Sequence, residues 1–169
     1  MSLIYDNQAK YELDQTPVEL AKRLIQLVPI EKGDVVYEPF KGEGSFYDNL
    51  PDYCIKHWTE IKYERDYRSF TEEVDWIITN PPFQIEKGKN CFFKLIEEFL
   101  PRVRKGICFI GNDKCISTFT PLRHKRMNEK GFYLSKITVY NVKKWYGRYY
   151  FFQITKRKSD DITFVEGSF

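Results

Sequence analysis

The apolar run Trp76-Ile77-Ile78-Thr79 stops at Asn80-Pro81-Pro82-Phe83, and this junction constrains the chain more than any other stretch. A short apolar run of that kind suits a buried strand. Two consecutive prolines fix φ at both positions and remove two backbone donors, so the strand ends in a stiff, extended turn. Such a turn presents the Asn80 amide, bare carbonyl oxygens and an aromatic face at the carboxyl edge of a sheet. Open α/β sheets bind ligands at that edge. A planar amino group held by two acceptors and stacked on a ring fits there.

The surrounding pattern says what sheet this is. Residues 17–28 predict a helix, with Thr16 as N-cap, Pro17 in the first turn and Leu20, Leu24, Ile25 and Val28 at helical spacing. After the turn Gly33-Asp34, residues 35–38 read as a short buried strand. A glycine loop over 41–46 then opens a brief helix ending near 49–50. Further strands are expected over 55–60, 75–79 and 106–111, with an amphipathic helix at 91–100 that puts Phe92, Leu95, Ile96 and Phe99 on one face. A basic helix over 121–129 ends before Gly131. Two last strands, 137–140 and 149–155, flank Lys143-Lys144-Trp145-Tyr146-Gly147-Arg148. Strands alternating with helices and closed by a hairpin predict an α/β, Rossmann-like fold: a mostly parallel sheet with an antiparallel C-terminal strand. Residues 1–169 read as a single domain, with a polar, solvated tail from about 157.

Composition narrows the function classes. The 14 Phe, 12 Tyr and 3 Trp exceed what a minimal core requires, which points some rings at a ligand or partner. A net charge of +3 permits a nucleic-acid partner without demanding one. Cys54, Cys91, Cys108 and Cys115 lack C-x-x-C spacing, and only His57 and His124 could assist them, so no metal site is expected. No leader or membrane-length apolar run is seen. Reduced thiols in a cytoplasmic protein follow as the expectation.

Glu38-Pro39-Phe40-Lys41-Gly42-Glu43-Gly44 sits at a strand-to-helix junction, where glycines allow close approach of backbone to ligand. A pyrophosphate cradle would need a third glycine at position 47, which is Tyr. An acidic residue precedes the glycines, which disfavours phosphate and suits a cationic or amino-bearing ligand. The alternative is an ordinary glycine turn with a surface Glu. Glu60 could accept from two ribose hydroxyls, and Asp66, beside Tyr67, from an adenine amino group. A solvated charge is the alternative for each, and a plain helix start the alternative for Thr16-Pro17.

Taken in order, Thr16-Pro17, the Glu38 to Gly44 loop, Glu60-Ile61, Asp66-Tyr67 and Asn80-Pro81-Pro82-Phe83 resemble the S-adenosylmethionine-dependent amino methyltransferases of the N6-adenine type. The resemblance covers roughly residues 11–115. It implies a class I methyltransferase fold and S-adenosyl-L-methionine as cofactor. It further implies that Glu38, Gly42 and Gly44 line the methionine end of the cofactor, with Thr16 and Pro17 nearby. Glu60 would hold the ribose and Asp66 the adenine amino group. Asn80 and Pro81 would hold the target amine, and Phe83 would stack on its base.

The chain departs from the family pattern in two places. Only residues 61–65 separate Glu60 from Asp66, too few for the usual helix and a full third strand. Nothing after the closing hairpin resembles a target-recognition domain. The expected acceptor is adenine in DNA or RNA, with recognition supplied by a separate subunit or a second copy. A glutamine side-chain amide in a protein also offers a planar NH₂, and a non-catalytic subunit is a third reading. The basic residues Arg123, His124, Lys125, Arg126 and Lys130, with Lys143, Lys144 and Arg148 around Trp145 and Tyr146, suit phosphate contacts plus base stacking, or a plain solvated face. The loop 84–90 reads as a lid.

Overall fold

The computed structural model describes residues 15–82, 91–145 and 147–158, and the backbone of 161–164. Phe83, the loop 84–90 and Tyr146 lie outside the described residues. Seven strands, β1 Val35–Glu38, β2 Ile55–Trp58, β3 Val74–Thr79, β4 Val103–Asn112, β5 Tyr133–Tyr140, β6 Tyr149–Thr155 and β7 Asp161–Phe164, form one sheet. Their spatial order is β2-β1-β3-β4-β6-β5-β7. Strands β2, β1, β3 and β4 are parallel, β6 runs antiparallel to both β4 and β5, and β7 lies parallel to β5.

Alternation along the strands feeds two apolar layers. Val36, Trp76, Ile78, Cys108, Ile110 and Phe151 pack on one face with Leu20 and Leu24 of α1 (Val18–Gln26). Tyr37, Ile77, Ile107, Phe109 and Phe152 pack on the other, against Phe92, Ile96 and Phe99 of α2 (Phe92–Phe99) and Met127 of α4 (Pro121–Glu129). A short α3 (Asp113–Ile116) follows β4. A sheet buried on both faces needs apolar residues at consecutive positions, which is why Trp76 to Thr79 reads as an unbroken run.

Several boundaries differ from expectation for identifiable reasons. Strands β4 and β5 begin three and four residues earlier than the sequence pattern suggests. In β4 the misleading residues are Arg104 and Lys105. Arg104 Nε donates to Asp75 Oδ1 at 2.9 Å and Lys105 Nζ to Asp34 Oδ1 at 2.7 Å, so these charges are satisfied within the sheet. The helix after the glycine loop is a single 3-10 turn, Tyr47–Asn49. Strand β2 stops at Trp58, and Glu60 instead forms a lone bridge with Arg65. Two 3-10 turns, Ile61–Tyr63 and Tyr67–Ser69, fill the connection to β3, so the abbreviation expected from spacing is present. The expectation of a solvated end after 157 fails at residues 161–164, which form β7. The charged run before them hid a short polar–apolar alternation, Asp161-Ile162-Thr163-Phe164.

Candidate active site

Strand β1 delivers Glu38 to the carboxyl edge, where it is only 2% exposed. The Tyr47 N–H donates to Glu38 Oε2 at 2.7 Å. Burial pushes this carboxyl well above the usual carboxylate range, against the Tyr47 bond and the charge of Lys41, with Asp48 and Glu60 adding to the rise. The ionised form is the one that burial penalises. Folding stability linked to Glu38 is therefore full below the unfolded value of 4.5 and is lost as pH rises through the folded value. Glu38→Gln has no proton to lose yet can still accept from Tyr47. Urea midpoints measured between pH 4.5 and about pH 9 should fall more steeply for the natural protein than for the variant. Parallel curves would show that Glu38 ionises without cost.

The glycine loop follows directly. Gly42 and Gly44 have φ of 54° and 90°, backbone that side chains rarely adopt. A Cβ at Gly42 would stand 2.7 Å from Gln15 Oε1, and one at Gly44 would collide with the Asp48 carboxylate. The loop is tied to the next connection through Thr59. The Thr59 hydroxyl donates to the Pro39 carbonyl at 2.8 Å and pairs with Tyr37 Oη at 2.6 Å. These bonds carry Glu60 under the loop, where its Oε2 accepts from the Gly42 N–H at 2.7 Å and its Oε1 from the Lys62 N–H at 3.3 Å.

Strand β3 brings Asn80 to the same edge. Its Nδ2 donates to Thr16 Oγ1 at 3.2 Å, while the Thr16 carbonyl accepts from Ser45 Oγ at 2.6 Å. Thr16 does not cap α1, whose N-cap is Pro17. Its hydroxyl serves the Asn80 turn instead. Beneath that turn Thr79, Pro81, Phe92, Phe99, Ile107 and Phe109 line a small apolar cavity. The Pro82 carbonyl accepts from Cys91 Sγ at 3.6 Å. Phe83 lies outside the described residues.

The structure thus gathers Thr16, Glu38, Gly42, Gly44, Glu60 and Asn80 at one edge, with Gly42 bonded to Glu60 and Asn80 to Thr16. It gives other members of the sequence motifs different work. Phe40 packs on Tyr67 with ring centroids 5.1 Å apart, and Tyr67 is buried, donating its hydroxyl to Glu98 Oε2 at 3.1 Å. Asp66 caps its own turn: Oδ1 accepts from the Arg68 N–H at 2.9 Å, and the Arg68 guanidinium lies 3.2 Å from Oδ2. Ile61 is 69% exposed. Two residues escaped the sequence reading. Gln15 Oε1 accepts from the Glu43 N–H at 3.2 Å, and Thr59 knits the loop as described. Neither contact leaves a short-range signal, since each joins segments about 20–30 residues apart.

The basic segments also separate. On α4, Arg126 pairs with Glu97 at 2.8 Å, and Arg123 donates to the Thr118 carbonyl at 2.9 Å while lying over the Phe93 ring. In the hairpin, Lys143, Lys144 and Arg148 are exposed, but Trp145 is only 9% exposed and packs on Tyr149 at 4.6 Å. Trp145 therefore anchors the hairpin and is no stacking platform. Among the described residues no group of His, Cys, Asp and Glu suits a metal ion, and no helix is long and apolar enough to cross a membrane.

No protein-family model matches the chain, and no curated protein does. Solved structures do. TrmN from Thermus thermophilus superposes with a TM-score of 0.61 at 16% identity, over 88% of this chain and 52% of that one. The M protein of the type I restriction enzyme EcoKI gives 0.54 at 12%, over 83% and 43%. The magnesium protoporphyrin IX methyltransferase ChlM from Synechocystis, solved with bound SAM, gives 0.59 at 10%, over 93% and 86%. This chain spans about half the length of the first two. At such identities the likeness is one of architecture, and the architecture is the Rossmann-like class I methyltransferase fold.

Proposed function

We propose that the protein is an S-adenosylmethionine-dependent N-methyltransferase that acts on the exocyclic N6 amine of adenine in DNA or RNA. The observation that carries this reading is the bond from Asn80 Nδ2 to Thr16 Oγ1. It ties the amide at the end of β3 to the glycine loop, because the Thr16 carbonyl accepts from Ser45 Oγ. Solved structures of the same fold include a type I restriction M protein and a methyltransferase with bound SAM, which supports the assignment.

The residues present fit that cofactor. Two glycines with positive φ leave the loop backbone without side chains of its own, Glu38 at its start would ionise against an ammonium group, and Glu60 suits a diol. When bound, the cofactor supplies an electrophilic sulfonium methyl. Everything else falls to the chain. An exocyclic amine is a poor nucleophile because its lone pair is delocalised into the ring. Asn80 Oδ1 and the Pro81 carbonyl would accept its two hydrogens, favouring a pyramidal nitrogen whose lone pair is available. Catalysis by placement and fixed dipoles needs no strong base. A base within a duplex would have to leave the stack to reach this turn.

The test is incubation with cofactor labelled in the methyl group and separate pools of DNA, RNA and protein. Label is expected in N6-methyladenine after digestion of a nucleic-acid pool. Label confined to the protein pool would replace adenine with a glutamine amide as acceptor. Label in none would overturn the enzymatic reading.

A further inference from the structure

The hairpin between β5 and β6 stands beside the Asn80 turn, at the same edge of the sheet. The registers make a continuous row: Thr79 opposes Phe109, Phe109 opposes Phe152, and Phe152 opposes Ile137. From that row β4 and β5 run on, and β6 runs back, to the level of Asn112, Tyr149 and Tyr140, where the hairpin begins. Three residues of rise put its base about 10 Å above the row, and two to three strand spacings put it about 10–15 Å to the side of Asn80. Lys143, Lys144 and Arg148 therefore stand at the same edge of the sheet as the acceptor turn.

Their electrostatic setting differs from that of the ion-paired cations in the molecule. Lys62, Arg104, Lys105 and Arg126 are each held by a carboxylate. Among the described residues no carboxylate lies within ion-pair distance of Lys143 or Lys144. The nearby acid Asp113 is occupied by Tyr150, whose hydroxyl donates to Oδ1 at 2.6 Å; that bond raises the hydroxyl's pKa, and the adjacent Arg148 partly offsets the rise. Trp145, buried in the same apolar cluster as Val142 and Phe151 and packed on Tyr149, pins the hairpin to the sheet. The cations are thus carried on an anchored segment, so less order has to be imposed when an anion docks.

We propose that this hairpin is the phosphate-binding element of the protein, gripping the backbone of a nucleic-acid strand beside the nucleotide held at Asn80. The proposal rests on the methyltransferase reading above and deepens it. Exposed lysines facing a polyanion supply affinity and register, and carry no base preference. The basic helix α4, which the sequence marks as an equal candidate, is left out because Arg123 and Arg126 are spent on protein groups.

The experiment compares two variants with the same change of charge, Lys143→Glu/Lys144→Glu and Lys125→Glu/Lys130→Glu. Fluorescence anisotropy reads the binding of labelled mixed-sequence RNA and DNA oligonucleotides, each of about 20 nucleotides, across a range of salt. The hairpin variant is expected to lose on the order of tenfold or more in affinity. Its plot of log affinity against log salt should be shallower by about 1.4, two contacts at about 0.7 each. The helix variant should stay within about threefold of the natural protein. The RNA and DNA arms show which backbone is bound more tightly. Calorimetry with S-adenosylhomocysteine is run on the same samples: normal cofactor binding verifies the fold, and its absence in the natural protein would count against the methyltransferase reading alone. Equal affinity in the natural protein and the hairpin variant, or equal loss in both variants, would overturn the proposal.

Discussion

Asn80→Ala is expected to lower methyl transfer by about 10²–10³-fold, the usual effect of removing one preset polar contact from a reacting group. Affinity for S-adenosylhomocysteine should change little, because the glycine loop and Glu60 are bonded to each other independently of Asn80. The substitution removes an acceptor for the target amine and the donor to Thr16 Oγ1 together. Asn80→Asp separates these roles. An aspartate keeps acceptor oxygens, and the Thr16 hydroxyl can rotate to donate to it, so this variant should retain more activity than alanine. Turnover with labelled cofactor and binding by calorimetry measure the two quantities apart. An alanine variant with natural turnover would remove the proline turn from the chemistry.

Glu60→Ala should weaken S-adenosylhomocysteine binding by about tenfold and cost about 1–3 kcal/mol of stability, since it strips the acceptor from the Gly42 N–H. Glu60→Gln distinguishes a scaffold from a ligand. Its amide oxygen can still accept from Gly42, so stability should largely return. An amide is a poorer partner for a diol than a carboxylate, so affinity should stay reduced. Recovery of both would make Glu60 a brace for the loop and nothing more. An unchanged dissociation constant in both variants would remove it from the site.

The parts of this molecule that were legible in the sequence are those where one short segment carries the whole signal. Trp76 to Thr79, buried on two faces, announces its strand, and Pro81-Pro82 announces the strand's end. Gly42 and Gly44 mark the glycine loop, and both adopt a positive φ. What stayed hidden depends on partners far along the chain. Arg104 and Lys105 look like a loop until Asp75 and Asp34 are placed beside them. Trp145 looks like a stacking surface until Tyr149 packs on it and the core takes it in. Asp66 has a turn of its own to cap, which spacing alone cannot reveal.

Thr16 shows how the two halves of the site communicate. Its carbonyl holds Ser45 on the glycine loop, and its hydroxyl holds Asn80 on the acceptor turn. One residue therefore rivets together the segment that would receive the methyl donor and the segment that would receive its target. A shift of the loop would reach the Asn80 amide through two hydrogen bonds and a single residue. On the methyltransferase reading, the first guest would thereby set the posture in which the second is met.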